Sequence, residues 1–294
     1  MSRPGSHGSE PRTSPRSGAL FRTLPAGVRE PTRTVDIPDD QLTTTLATLT
    51  YRAPELGERW PRHLLETLVF CALGFAFGHV VGREYAGVVS LFLASAALSS
   101  RFKQILRRQR RHGPTQLVLA IAPIGLGALL AYGLICSALG PDGVRERFAF
   151  AVAAAGIVGE GELSPERFRG SWGLLGHNLL VLLSAFVLAF VYRGFGVLLT
   201  ILWNAAAWSA ALVVLARPDV SAGLAIVALT PHFAVEGLAF ICAALAGVGA
   251  GMHIAGNRGL SASIRLAAFA LVALLVGAAL ESAWPGFVLA RGPS

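Results

Sequence analysis

TPHFAVEGLAFICAALAGVGAGM, residues Thr230 to Met252, carries one histidine and one glutamate in 23 positions that are otherwise apolar or small. A helix crosses the hydrocarbon of a bilayer in about 20 apolar residues, so this stretch reads as a membrane span. His232 and Glu236 stand four apart and share a helix face. The same face continues through Ala239, Ala243, Gly247 and Gly251, a stripe small enough for a neighbouring backbone to approach closely. Groups that ionise are expensive in hydrocarbon and normally turn toward a bundle interior or a cavity. Pro231 lacks an N–H and clashes with the preceding turn, so a broken or re-entrant helix is expected there, with Pro231 opening the spanning half.

The same pattern recurs on both sides of this stretch. Apolar spans fall near 64–82, 85–100, 115–139, 173–192, 196–216 and 264–283, making seven with 231–252. The composition agrees: 53% of residues are hydrophobic and only 14% charged, against about a quarter charged in soluble domains. The expected fold is an all-α polytopic transmembrane bundle of about seven spans, one of them broken by proline. Cys71, Cys136 and Cys242 all sit inside apolar runs and read as packing residues rather than a disulfide framework or a thiolate metal site.

The net charge of +8 would suit nucleic acid, but its placement argues against that partner. The basic residues gather in the first 62 positions and at 101–111, beside apolar spans, where orientation signals lie. With the N-terminus cytoplasmic, 18 of the 25 Lys and Arg fall inside and 7 outside, so the expected arrangement in the cytoplasmic membrane is N-terminus in, C-terminus out. Arg101, Lys103, Arg107, Arg108, Arg110 and Arg111 are candidates for contact with anionic lipid headgroups. A plain stop signal for topology explains them equally.

Three regions follow. Residues 1–62 are rich in Ser, Pro, Gly and Arg and read as a cytoplasmic tail, largely disordered, with short surface helices after Asp39; no apolar leader segment precedes residue 60. Residues 63–114 form an N-terminal hairpin with its basic flank. Residues 115–290 form the membrane core, with one extracytoplasmic loop over 140–172, in which 147–158 is expected to lie at the interface and Ser164 to cap a further short helix. On the first span Gly74, Gly78 and Gly82 line one face. Ala86, Ser90 and Ala94 offer a matching surface on the second span, and a homodimer seam is the alternative.

The orientation brings other polar residues to the depth of His232 and Glu236. His177 and Asn178 enter the membrane from the outer side, Glu281 leaves it there, and Asn204 sits deeper. One polar cluster in the outer half of a four-helix core is expected. It serves either as interhelical glue or as a cation or proton site. No His-Glu-x-x-His metalloprotease motif and no Gly-x-Ser-x-Gly nucleophile motif occurs, so no catalytic residue, no cofactor and no metal is assigned.

Gly176-His177-Asn178-Leu179, Trp203-Asn204-Ala205, Pro231-His232-Phe233 with Glu236, Ala246-Gly247 and Ala278-Ala279-Leu280-Glu281 together resemble, in order and spacing, the stage II sporulation protein M family of integral membrane proteins. The resemblance covers about residues 115–290. His177, Ala205 and Phe233 stand where the family pattern has Asn, Gly and Gly. It implies a non-enzymatic component that assembles with other membrane or envelope proteins, among them peptidoglycan-remodelling ones. A transport or permease subunit built on the His/Glu cluster is the alternative.

Overall fold

The structure is a computed structural model that describes residues 60–108, 114–154, 171–215, 222–255 and 260–289. The expected tail helices, the Ser164 cap, Arg110 and Arg111 lie outside them. Among the described residues every element is helical: α1 (Trp60–Val81), a 3-10 turn (Arg83–Tyr85), α2 (Ala86–Arg108), α3 (Pro114–Arg147), α4 (Ala149–Ala154), α5 (Ser171–Tyr192), α6 (Gly194–Leu215), α7 (Ala222–Ile254) and α8 (Ser261–Leu289). Seven of these, all but the 3-10 turn and α4, are long and apolar enough to cross a membrane. The chain is an all-α, multi-pass membrane protein.

Glycine and alanine set how closely the helices meet. A Cβ added at Gly78 would stand 2.8 Å from the Cα and carbonyl oxygen of Ala86, and one at Gly74 3.1 Å from the Cα of Ser90. α1 and α2 thus touch backbone to backbone. α3 crosses α1 in the same way, since a Cβ at Gly127 would come 2.6 Å from the Leu64 carbonyl oxygen. Gly82 is different: it sits in the turn, where a Cβ would meet only the Tyr85 ring at 3.3 Å, so it belongs to the connection rather than the seam. On the far side, Leu65, Leu73, Phe77 and Val80 are exposed, as residues facing lipid must be.

α6 is the most enclosed of the seven spans. Its Ala205, Ala206, Ala210 and Ala211 are buried in a core shared with α1, α2, α3 and α4. A second core, around Leu182, Ala239, Phe240, Ala243 and Leu274, joins α5, α7 and α8. The small stripe on α7 faces α5: a Cβ at Gly247 would strike the Phe186 carbonyl, and one at Gly251 would lie 2.9 Å from that of Phe190.

The helix break lies elsewhere than expected. α7 runs from Ala222 to Ile254 as one helix with Pro231 inside it. A membrane helix tolerates proline because neighbouring helices and local adjustment accommodate the lost bond. The chain breaks instead at Gly140, whose φ of 66° and ψ of 176° interrupt α3 directly before Pro141. This left-handed φ is one that side chains rarely adopt and glycine adopts freely. Beyond it the chain turns back, and the Phe148 ring packs edge-on to Tyr132 at 5.9 Å and stacks on Phe75 at 5.6 Å. Tyr132 precedes the break by about two helical turns. Phe150 reaches Trp203 of α6 at 4.7 Å. Of the segment 147–158, expected to lie at the interface, only 147–154 are among the described residues; there Phe148 and Phe150 reach into the bundle, and Val144, Phe148, Ala151 and Val152 form one buried apolar face while Asp142 and Glu146 stay exposed.

Candidate functional site

The α5–α7–α8 core contains one buried polar junction. Asn178 of α5, 9% exposed, donates from Nδ2 to Oε1 of Glu236 on α7 at 2.7 Å, and Glu236 is 5% exposed. α8 closes the junction from the third side: Gly277 lies against Glu236, where an added Cβ would stand 2.7 Å from Cγ. One turn further along α8, the Glu281 carboxyl interacts electrostatically with Glu236. The absence of a side chain at Gly277 is what lets the Glu236 stem lie between helices at this depth.

The other polar residues expected at this level divide. His177 is exposed and turned out of the bundle. His177 and Asn178 point about 100° apart on the helix, and it is Asn178 that shares its face with buried Leu182, Ala185 and Ala189. Asn204 is buried, but its Nδ2 donates to the Thr200 carbonyl of its own helix at 2.7 Å, and Thr200 Oγ1 donates in turn to Gly196 at 2.9 Å. It is part of α6, not of the junction. His232 is 2% exposed and packs against Phe233, whose ring stacks on Trp208 of α6 at 5.3 Å. No protein group within hydrogen-bonding distance satisfies its Nδ1 among the described residues. The expected four-helix cluster is thus a three-helix junction of Asn178, Glu236 and Glu281, with His232 one turn away on the Glu236 face.

Two further polar features were not singled out from sequence. Ser90 Oγ donates to the Cys71 carbonyl at 2.8 Å and lies 3.2 Å from the Tyr132 hydroxyl, tying α1, α2 and α3. A tyrosine in the middle of the third span was the available signal, since a buried phenol normally finds a partner. At the start of α1, Glu66 gathers Arg62, His63 and Arg101. Arg101 is therefore paired within the protein rather than wholly given to lipid. Lys103 is exposed, and Arg107 and Arg108 continue the same helix.

Among the described residues no group of three or more His, Cys, Asp and Glu is placed to hold a metal ion, and Cys71, Cys136 and Cys242 are buried and unbridged. The junction combines acceptor oxygens with an amide donor. That chemistry ties helices together and also lets a carboxyl group exchange a proton. No family model matches the chain, and no curated protein or solved structure matches it either.

Proposed function

We propose that the protein is a non-enzymatic scaffold of the cytoplasmic membrane that organises other membrane or envelope proteins, with peptidoglycan-remodelling partners one such class. The observation that supports this most is where the buried polar groups go. Asn178 binds Glu236, Ser90 binds Cys71 and stands beside Tyr132, and Thr200 and Asn204 bind their own helix. Asn178 and Ser90 thus bind across helices, in a bundle whose helices already touch through glycine, while Thr200 and Asn204 are satisfied within α6. The order of polar motifs that resembles the stage II sporulation protein M family is carried as part of the same proposal, and so is the orientation with the N-terminus cytoplasmic, supported by the arginine distribution.

A second reading, a transport subunit, draws on the mutual repulsion of the Glu236 and Glu281 carboxylates, which stand on different helices, since intramembrane carboxyl groups often mark ion or proton paths. Photo-reactive residues at Asp142 and Glu146, exposed on the tail of α3, test the scaffold reading in native membranes. Discrete covalent adducts are expected, and an adduct of twice the monomer mass would identify a homo-oligomer. Folded protein that stays monomeric from both positions counts against it.

A further inference from the structure

We infer that the end of the bundle where α1 begins and α2 ends holds the phosphate of an anionic phospholipid headgroup between Arg62 and Arg101. The two guanidinium groups come from different helices and converge on one carboxylate oxygen. Arg62 Nε lies 2.9 Å and Arg101 Nη2 3.3 Å from Glu66 Oε1, while His63 Nδ1 stands 3.7 Å from the other oxygen. Glu66 is largely covered, its side chain 20% exposed, whereas the side chains of Arg62 and Arg101 are 61% and 36% exposed. A guanidinium offers five N–H donors in a planar fork, and each of these contacts occupies one nitrogen. The carboxylate thus fixes the two forks side by side and leaves their outward edges to a second anion.

Charge and position select the occupant. Arg62, Arg101 and the exposed Lys103 outweigh Glu66 by two positive charges, so a further anion is favoured at this end. The arginines adjoin the apolar belt: Leu65 and Val69 on α1 are exposed directly beyond Arg62, and on α2 the exposed residues change from Phe92, Leu93, Ala96 and Ala97 to Lys103 and Gln104. A ligand seated here has hydrocarbon on one side and water on the other. A phospholipid meets both conditions, with its phosphate at the level of the forks and its chains along Leu65 and Val69. Arginine suits phosphate because its fork matches two oxygens at once.

The test uses the full chain in vesicles of phosphatidylcholine with or without phosphatidylglycerol. Native mass spectrometry of the released protein counts retained lipid. Phosphatidylglycerol should be retained in preference to phosphatidylcholine, and each arginine removed should weaken retention about five-fold, so that Arg62→Gln/Arg101→Gln nearly abolishes it. Arg62→Gln alone covers the case in which the double variant fails to fold, because Arg62 is the more exposed of the two. Phosphatidylglycerol retention unchanged in Arg62→Gln overturns the inference. So does displacement of the lipid by millimolar inorganic phosphate with no loss of preference for phosphate over lipid, which would make the forks a site for the free anion.

Discussion

His177 and Asn178 are neighbours in the chain, yet one faces outward and the other bonds Glu236 in the α5–α7–α8 core. Their separation gives a test at single-residue resolution. Asn178→Ala removes the amide that Glu236 Oε1 accepts, and interhelical hydrogen bonds in membranes contribute about 0.6 kcal/mol with a maximum near 1.7; a loss of about 1 kcal/mol is expected in reversible unfolding from detergent micelles. His177→Ala should stay within about 0.5 kcal/mol of the parent, as surface substitutions do. Equal losses would mean that α5 is rotated from its place here. The sequence already brought Asn178 and Glu236 to a common level, since each lies near the end of its apolar span, and the two do meet. Rotation was hidden. The resemblance motif treats the Gly-His-Asn run as a unit, whereas the apolar periodicity of a span that is hydrophobic nearly all round singles out no inner face for it.

Among the elements, the α1–α2 hairpin was the most legible, since glycines four apart opposite Ala86 and Ser90 already describe two helices in backbone contact. Its third glycine was not part of that seam. Gly78→Ala should cost about 1–3 kcal/mol by overpacking, because its Cβ would stand 2.8 Å from Ala86 backbone atoms. Gly82→Ala should change stability by less than about 0.5 kcal/mol, since Gly82 has an extended φ of 178° and its Cβ would meet only the exposed Tyr85 ring, at 3.3 Å, which is free to shift. A thermal-shift series on the two variants decides whether the seam ends where it does here. The break in α3 was misplaced to α7, and the reason is physical: proline in a span weakens one bond, but a left-handed glycine redirects the chain. Gly140→Ala isolates that effect, because nothing lies within 4 Å of its Cβ position and only the φ of 66° opposes the change. A loss of about 1–2 kcal/mol is expected, and no loss would show that the turn-back of Phe148 does not depend on that backbone.

On the scale of the molecule, two cores share one bundle: α1, α2, α3, α4 and α6 enclose the first, and α5, α7 and α8 the second, with α5 and α7 lending residues to both. The number of spans followed from hydropathy alone, because seven apolar stretches leave few other ways to satisfy the backbone. Beyond the α1–α2 hairpin, which helices pair did not, since the same alanine-rich surface fits several neighbours. Orientation is the next quantity to measure. A cysteine at Ser164 should react with impermeant maleimide in intact cells and one at Ser261 should not; the reverse labelling would invert the bundle. The central claim is that the Asn178–Glu236 junction holds helices together and moves nothing. Its most direct test is proton and monovalent-cation flux in proteoliposomes containing the parent chain or Glu236→Gln. The scaffold account predicts flux equal to protein-free liposomes for both, with Glu236→Gln as stable as the parent because the amide still accepts from Asn178. Flux that the parent supports and Glu236→Gln abolishes would contradict it.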